Sequence, residues 1–542
     1  MIDMTAIDLH LNYITYLLVS ARQTNNLWSA PSLARLCCNS SHLFAADTTM
    51  ILEILIFLVT TIVGYYLWSY KQLHKYFEER GIKYVPGIPL FGNSFKSTFV
   101  KRHIFYDLMD VYTAYPDEKY VGYLELTVPI LMIRDPELIK NITIKDFDHF
   151  TDHREFFTED SDPLFAGSLF LMKGEKWREM RNTLSPAFTG SKMKLMLPSM
   201  IENSHNVLEY LNEHQSEEID VDDLTHRYTN DVIASAGFGL QVNSFKNKNN
   251  EFFGIGSTIF EFDFKQRIFM MLNAQFPSLA KKLGTRLFPD KTYNFFRNIV
   301  TSTMEYRKKE KVTRPDMIQL LMETPKEWTA DEIIGQVFLF FAGGFETTAS
   351  AIAMTIHELA INPDVEEKLY QEIRNFNEKT ELTFENLNEL KYLDCVVNET
   401  MRKWCPAILM DRICSKTYVL PPPREGGKPC VLNPGDILHN MVNCLQMDPK
   451  YYPNPDVYDP ERFSDENKHK IQPFTYMPFG SGPRICIGLR LALMEVKVFL
   501  YQVLLKYKIV KSERTTDPIT LKPHNFNIRA ANGTFVRFEK RK

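Results

Sequence analysis

The stretch from Thr329 to Asn362 constrains the fold of this chain more than any other, because it predicts one long apolar helix. It opens with "TADE", in which Thr329 can cap the helix and Glu332 can complete a capping box. Apolar residues then run through "IIGQVFLFFAGGF" and "TTASAIAMTIHELA", and the Asn362–Pro363 pair ends the helix. An apolar helix of about nine turns must be buried along most of its length. We therefore predict a large, mostly helical domain built around it.

The middle of this helix carries an unusual segment, "AGGFETT", at residues 342–348. Each of its two glycines costs about 1 kcal/mol of helix stability relative to alanine. Acidic Glu346 and two threonines then lie in an apolar environment. Two interpretations stay open: a local distortion of the helix beside a cavity, or a tight helix crossing that needs small residues.

One cysteine near the end of the chain has unusual neighbours. The chain has eight cysteines and no C-x-x-C pair, so neither a disulfide framework nor a zinc site is expected. Cys486 stands in the loop "PFGSGPRICIG", residues 478–488, immediately before a helical pattern. The free N–H groups at a helix start stabilise a thiolate. This position is therefore the right place to hold a thiolate that acts as nucleophile or metal ligand.

The residues around Cys486 suit a haem site. Arg484 can pair with an anionic group two positions from the thiolate, and Phe479 can shield the sulfur from water. One thiolate, one arginine and one shielding aromatic fit an axial ligand of haem iron, with the arginine on a propionate. Three glycines allow tight turns and a close approach of the backbone to a flat ligand; they are Gly480, Gly482 and Gly488.

The N-terminal part of the chain predicts a membrane anchor. Residues 50–68, "MILEILIFLVTTIVGYYLW", form an apolar run long enough to cross a bilayer as a helix. A cleaved signal peptide is the alternative, but no small-residue cleavage site precedes the polar part. Basic residues follow the run, so the positive-inside rule places the rest of the chain in the cytosol; they are Lys71, Lys75, Arg80 and Lys83.

The chain divides, on this view, into four segments. Residues 1–49 are a leader without helical or strand periodicity, which we interpret as an extension upstream of a native start at Met50. Residues 50–70 are the transmembrane anchor, and residues 71–94 are a basic linker and proline hinge. Residues 95–542 show no linker, repeat or low-complexity tract. We expect them to form one catalytic domain.

The loop around Cys486 resembles the haem-binding pattern of the cytochrome P450 family, F-x-x-G-x-R-x-C-x-G. The segment "FGSGPRICIG", residues 479–488, matches all five fixed positions. The helix at 329–362 is similar to the long central helix of the family, with Glu346 and Thr347 at its acidic–threonine pair. The resemblance covers the chain from about Met50 onward. It implies a mainly α fold with small β-sheets, the cytochrome P450 fold, behind an N-terminal transmembrane helix.

Further motifs resemble those of the family and follow in the same order. "ETMR" supplies Glu399 and Arg402, which are three positions apart on one helix face and can pair directly. "PERF" supplies Arg462, which the resemblance makes the third member of this structural charge cluster. "WREMR" is similar to the Trp-x-x-x-Arg helix that faces the haem propionates, at Trp177 and Arg181.

The resemblance also implies propionate and substrate contacts. Arg412 in "DRICSK" and His153 in "TDHREFF" would reach propionates, although the latter position is usually arginine in the family. Gly343 stands where alanine is more usual and should widen the space above the haem. The implied pocket residues are nearly all apolar, which favours lipophilic substrates. They are Leu339, Phe340, Ala342, Gly343, Ala407, Ile408 and Leu409, with parts of 155–170, the segment 252–276 and a loop near Phe526.

In function, the resemblance implies a monooxygenase with haem b (iron protoporphyrin IX) as cofactor, in which Thr347 and Glu346 organise water and supply protons. Electrons would come from NADPH through a separate NADPH-cytochrome P450 reductase, with cytochrome b5 as a further partner. We expect Lys176 and Arg178, on the Trp177 helix, to help dock the reductase. The net charge of −4 lacks the strongly basic balance of nucleic-acid-binding proteins, so no nucleic-acid partner is expected.

The substrate class follows from a finer resemblance. Residues 151–194 are similar to insect microsomal members that metabolise xenobiotics, which implies plant toxins or insecticides as substrates at the endoplasmic reticulum membrane. Oxidation of an endogenous hormone or lipid is the alternative within this class. Two other classes stay open: a haem–thiolate isomerase or dehydratase, which often lacks the threonine, and a non-catalytic haem- or ligand-binding protein.

Overall fold

The computed structural model describes most of the chain, which divides into two compact units, Met1–Trp68 and Ser69–Lys542. Described residues of the first unit belong to one helix, and the second unit carries all of the sheets described below. The ranges described are 36–99, 102–155, 162–248, 250–259, 261–284, 286–314, 316–323, 328–523 and 527–542.

Helices dominate the described residues, so the predicted mainly α class is confirmed. In chain order they are α1 (Leu36–Glu79), α2 (Phe95–Phe99), α3 (Ile104–Thr113), α4 (Pro136–Lys140), α5 (Pro163–Ala166), α6 (Gly174–Leu184), α7 (Gly190–Glu213), α8 (Val221–Phe238), α9 (Glu251–Ile259), α10 (Phe264–Gln275), α11 (Pro277–Lys282), α12 (Asp290–Glu310), α13 (Met317–Glu323), α14 (Ala330–Ile361), α15 (Pro363–Asn377), α16 (Lys391–Lys403), α17 (Val442–Gln446) and α18 (Leu489–Leu504). Two shorter turns matter for the site, a π-helical turn at Asn141–Lys145 and a 3-10 turn at Gly482–Arg484.

The strands form small sheets, as expected. They are β1 (Tyr120–Glu125), β2 (Val128–Ile133), β3 (Ile219–Asp220), β4 (Met410–Ile413), β5 (Tyr418–Leu420), β6 (Cys430–Leu432), β7 (Ile437–Asn440), β8 (Tyr507–Lys511) and β9 (Phe535–Lys540). The largest sheet has the order β1-β2-β7-β4, a second has the order β3-β9-β8, and β5 pairs with β6. Strand β2 is parallel to β7, and the other pairs are antiparallel. This places β4, which carries Arg412, at one edge of the largest sheet.

Among the described residues, two helices are long and apolar enough to cross a membrane, at Glu53–Glu79 and Ala330–Ile361. The second is mostly buried, as a core helix of a folded domain would be, whereas the first is not buried. The first belongs to α1 and carries the predicted anchor. Helix α1 begins at Leu36, so residues directly upstream of Met50 are helical although their sequence showed no periodicity.

The central helix α14 has the predicted bounds and caps. The side chain of Thr329 accepts a hydrogen bond from the Glu332 N–H at 3.2 Å, and the Glu332 carboxylate accepts one from the Thr329 N–H at 2.7 Å. The helix ends at Ile361, where Asn362 is the C-cap. Most of its side chains are buried, and it packs against α5, α8, α16 and α18. The prediction of one buried central helix is therefore confirmed.

The two glycines in the middle of α14 have different surroundings. A Cβ atom added to Gly344 would lie 2.3 Å from Cδ1 of Ile233 on helix α8, whereas one added to Gly343 would meet nothing within 4 Å. The segment is α-helical throughout. Gly344 therefore serves a tight helix crossing, and Gly343 borders open space.

Candidate active site

Cys486 lies on the loop between the 3-10 turn Gly482–Arg484 and helix α18. Its N–H donates to the carbonyl oxygen of Phe479 at 2.9 Å and closes the loop. The side chain has exposed surface, yet burial raises the pKa of its thiol, against the opposing effects of the Gly488 N–H and the charge of Arg181. The thiol therefore has many protein atoms around it and also one open side.

Glycine in this loop is required by contacts within the protein. Gly480 and Gly482 have φ of +82° and +74°, in the left-handed region that side chains rarely adopt. A Cβ atom on Gly482 would lie 1.9 Å from the carbonyl oxygen of Thr143, in the π-helical turn. Gly482 therefore accommodates that turn, a reason for glycine that the sequence did not indicate. Its contact with a flat ligand stays a prediction, as does that of Gly488, which lies in ordinary contact distance of Phe188.

The guanidinium of Arg484 is fully engaged by the protein. Burial and the neighbouring charge of Arg412 lower its pKa to about 9, so it stays a cation at neutral pH. Its plane stacks on the Trp177 ring at 4.0 Å. Arg484 ties the cysteine loop to residues 151–172, and its propionate contact stays a prediction. Its acceptors, at 2.8–3.4 Å, are the carbonyl oxygens of Thr151, Leu169, Phe170 and Met172 and the carboxylate of Asp152.

Arg412, on strand β4, is buried and incompletely satisfied. Its Nη1 donates to the Asp411 carbonyl oxygen at 2.6 Å and lies 3.3 Å from Nδ1 of His153. Its Nε is buried and has no hydrogen-bond partner among the described residues. Burial lowers the pKa of this guanidinium, because the charged form is desolvated. A buried cation with a spare N–H group fits an anionic ligand group.

His153 is held by Asp411. Its Nδ1 lies 2.9 Å from the Asp411 carboxylate, and its ring stacks on Phe170 at 4.6 Å. Burial lowers the pKa of His153, so the ring is neutral at pH 7 with its proton on Nδ1. In that state the other nitrogen has no proton to donate to a propionate. The geometry thus favours Arg412 over His153 for this contact, which stays a prediction for both.

Helix α6 presents Trp177 and Arg181 toward the cysteine loop, since residues four apart share a helix face. Trp177 is buried and lies under Arg484. Burial lowers the pKa of Arg181, and the charge of Cys486 acts in the opposite direction. No residue that the structure describes forms a hydrogen bond or ion pair with the Arg181 guanidinium. It is therefore a second cation with donors to spare near the thiol.

One face of helix α14 keeps exposed surface, and we call this face, at Leu339, Gly343 and Thr347, the open groove. Leu339, Gly343 and Thr347 are four residues apart and all retain exposed surface. The Thr347 hydroxyl donates to the Gly343 carbonyl oxygen at 2.6 Å. Ile487, next to the cysteine, packs in the same apolar cluster as Ala342 of this helix. The cysteine loop and helix α14 therefore pack against the same part of the apolar core.

The other predicted pocket residues are divided between open and packed positions. Phe340 packs on helix α8, where a Cβ atom on Gly237 would meet its ring at 2.4 Å. Ala342 and Ile408 are buried. Phe526 and residues 156–161 lie outside the described residues. The open positions after helix α16 are Ala407 and Leu409.

Glu346 has partners that sequence reasoning missed. Its side chain is buried, and its carboxylate contacts Arg529 and His226. Burial would raise the pKa of Glu346, but these two residues outweigh burial and lower the pKa to about 2. The partners lie 183 and 120 positions away in the chain, beyond the reach of any spacing motif.

The three residues of the structural charge cluster lie together. The Arg402 Nε and Nη2 atoms donate to both oxygens of Glu399 at 2.8 Å, and Arg462 lies 3.4 Å from the same carboxylate. Arg402 also donates to the carbonyl oxygens of Gln446 and Pro455 at 3.0 and 2.8 Å. The cluster therefore fastens the end of α17 and the loop after it to helix α16.

Together these residues fit haem and define a haem–thiolate protein. A thiol with exposed surface lies at the start of a helix, where N–H groups favour the thiolate. Arg181 and Arg412 offer spare donors to anionic groups, and Gly343 of α14 borders open space. Cysteine thiolate is the haem ligand of enzymes that activate oxygen.

Comparison with known proteins places the chain in one family. The family model described as Cytochrome P450 matches residues 83–535, and the chain belongs to the cytochrome P450 family, whose members are haem-containing monooxygenases. It is 40% identical over 504 residues to "Probable cytochrome P450 9f2" of Drosophila melanogaster, covering 88% of this chain and 97% of the relative. It is 39% identical to "Cytochrome P450 9e2" of Blattella germanica, covering 86% and 94%. It is 34% identical to "Cytochrome P450 6k1" of Blattella germanica, covering 90% and 97%.

Proposed function

We propose that this protein inserts one oxygen atom from O2 into lipophilic substrates, with electrons that come from NADPH through NADPH-cytochrome P450 reductase. The observation that carries the proposal is the Cys486 thiol, which keeps exposed surface just before the start of α18 and feels the charge of Arg181. When bound there, haem b supplies the oxygen activation, which a thiolate ligand favours. The remaining tasks fall to residues of this chain.

Each residue has a task that follows from its position. Cys486 would ligate the iron, and the N–H groups at the start of α18 favour its thiolate against the effect of burial. Arg181 and Arg412 would bind the propionates, while Arg484 lies over the Trp177 ring and holds the cysteine loop in place. Thr347 lies on the open groove, where its hydroxyl can bind a water molecule and pass on a proton.

The substrate and the location form a second part of the proposal. The relatives named above are insect proteins, which supports xenobiotics such as plant toxins or insecticides as substrates. The open positions Leu339 and Leu409 are apolar and suit such molecules. The exposed apolar surface of α1 supports anchoring in the endoplasmic reticulum membrane, with the catalytic domain in the cytosol. Cytochrome b5 would be a second electron donor.

Replacement of the ligand tests the proposal. Cys486→Ala should abolish the red-shifted Soret band of the ferrous–carbon monoxide form, whereas Cys395→Ala, at a buried cysteine of helix α16, should keep it. A band that survives in Cys486→Ala would refute the ligand assignment. Wild-type product formation that needs no NADPH would point to a haem–thiolate isomerase or dehydratase instead.

A further inference from the structure

Glu346 does not share the open face of the central helix with Thr347. Glu346 is 1% exposed, whereas Thr347 and Gly343, one turn earlier, both retain exposed surface. Consecutive residues of an α-helix point about 100° apart. The carboxylate therefore turns away from the groove, toward helix α8 and the C-terminal part of the chain.

Two side chains hold this carboxylate. Arg529 Nε donates to Oε1 of Glu346 at 2.7 Å, and its Nη2 donates to Oε2. Nε2 of His226 lies 3.1 Å from the same Oε2 and 2.7 Å from Nη2 of Arg529. Both carboxylate oxygens are thus engaged, and the bidentate guanidinium pairing is the strong form of such a contact. The low pKa of Glu346 agrees with an anion at every pH near neutrality.

The imidazole of His226 adds a further contact to this pairing. Its Nδ1 faces the carbonyl oxygen of Asp222, an acceptor, so Nδ1 carries a proton. In the neutral ring, Nε2 then accepts a hydrogen bond from Nη2 of Arg529. The ring therefore helps to hold the Arg529 guanidinium against the carboxylate.

The same side of the helix also binds the backbone of the segment that carries Arg529. We call the paired residues 520–523 and 527–531 the C-terminal hairpin; the Lys522 N–H donates to the Arg529 carbonyl oxygen at 2.7 Å between them. Ser350, one turn after Glu346, donates to the carbonyl oxygen of Ile528 at 2.6 Å, and this bond is buried. The hairpin is thus fastened to the central helix at two successive turns, next to Thr347.

We propose that Glu346 is a positioning residue, which fixes the C-terminal hairpin against the central helix through Arg529 and His226 and so sets which bulky ligands reach the haem. It does not feed protons to Thr347, because its two oxygens are bound and its side chain is closed to the groove. This inference rests on the proposed function and revises the role that the acidic–threonine pair implied for Glu346.

The test compares Glu346→Gln and Arg529→Gln, singly and together, with Thr347→Ala as reference. Imidazole and 4-phenylimidazole serve as probes, because both ligate haem iron but only the second samples the shape of the pocket. We expect the ratio of the two spectral Kd values to change about fivefold or more in each single variant. The double variant should change no further, since both substitutions break one pair. The amount of hydrogen peroxide released per NADPH should stay at the wild-type level in Glu346→Gln and in Arg529→Gln. It should rise in Thr347→Ala.

Two results would overturn the proposal. Glu346→Gln would place the carboxyl in the proton path if it released as much hydrogen peroxide per NADPH as Thr347→Ala does while Arg529→Gln did not. An unchanged Kd ratio in Arg529→Gln, which also serves if Glu346→Gln fails to fold, would show that the pair does not shape the pocket.

A measurement without haem chemistry separates this inference from the proposed function. Hydrogen exchange at the Lys522 N–H, which closes the hairpin, should become faster by about the same factor in Glu346→Gln and in Arg529→Gln. We call the fixing of the hairpin by Glu346 through Arg529 and His226 the clamp. Equal exchange rates in wild type and variants would refute it. A wild-type protein without the ferrous–carbon monoxide band would refute the proposed function, and the exchange rates would still decide on the clamp.

Discussion

Gly482→Ala should deprive the protein of haem, because the loop that presents Cys486 cannot hold a side chain at this position. An alanine in the left-handed region costs about 1–2 kcal/mol, and Gly482 has a φ of +74°. Its Cβ atom would lie 1.9 Å from the Thr143 carbonyl oxygen, so two backbone segments must separate by about 1 Å. Overpacking of this kind adds about 1–3 kcal/mol. The total of about 2–5 kcal/mol is a large part of a typical folding free energy.

Two neighbouring glycines serve as matched controls. Gly480 has a φ of +82°, but its nearest neighbour is the flexible end of Met410, at 3.0 Å; Gly480→Ala should therefore cost about 1–2 kcal/mol. Gly488 has a φ of −87°, and a Cβ atom there would lie 3.9 Å from the Phe188 ring. Gly488→Ala should cost less than about 1 kcal/mol. Thermal unfolding and the fraction of protein with the ferrous–carbon monoxide band measure the order.

The outcome separates two reasons for glycine. If Gly482→Ala retains haem and unfolds within about 1 kcal/mol of wild type, the contact with the π-helical turn is not rigid and this reasoning fails. If Gly482→Ala and Gly488→Ala lose haem equally, the glycines serve mainly the approach of a flat ligand, as the resemblance implied.

Burial raises the pKa of the Asp231 carboxyl from 3.8 to about 6, although hydrogen bonds from Ser244 act in the opposite direction. The folded protein therefore binds the carboxyl proton more tightly than the unfolded chain does. Stability from this group is lost as pH rises from about 4 to about 6, and Asp231→Asn should flatten the pH dependence of Tm there; an unchanged slope would contradict this. The double variant Lys176→Glu, Arg178→Glu should lower reductase-supported turnover about tenfold at low salt. Turnover driven by cumene hydroperoxide, which needs no reductase, should stay within about twofold of wild type. Equal losses of turnover in both assays would show that the two cations stabilise the fold and do not dock the reductase. The 2.8 Å ion pair of Lys176 and Glu332 would agree with that outcome.

The central helix could be predicted because its determinants are local. The capping box joins Thr329 and Glu332 within one turn, and the apolar run and the following Pro363 set its length. The Glu399–Arg402 pair is local in the same way, since both lie on one face of α16. Such features depend on neighbours within a few residues, and the printed sequence contains all of them.

The roles of the two glycines in "AGGFETT" could not be assigned in advance for a physical reason. The sequence offered a cavity or a tight crossing for the pair together. Helical periodicity separates Gly343 from Gly344 by about 100°, but only the position of α8 decides which of them meets Ile233. Both interpretations therefore contained part of the answer, one for each glycine.

The arginines near the haem site show the same limit more sharply. The pattern around Cys486 identified Arg484, yet four backbone carbonyl oxygens and the Asp152 carboxylate supply acceptors for all of its donors. Arg412, on β4, has a buried Nε with no such acceptor among the described residues. A motif identifies which residue is present, whereas the tertiary backbone decides how many of its donors remain free. We therefore expect Arg412, with Arg181, to bind the propionates more strongly than the arginine of the motif itself.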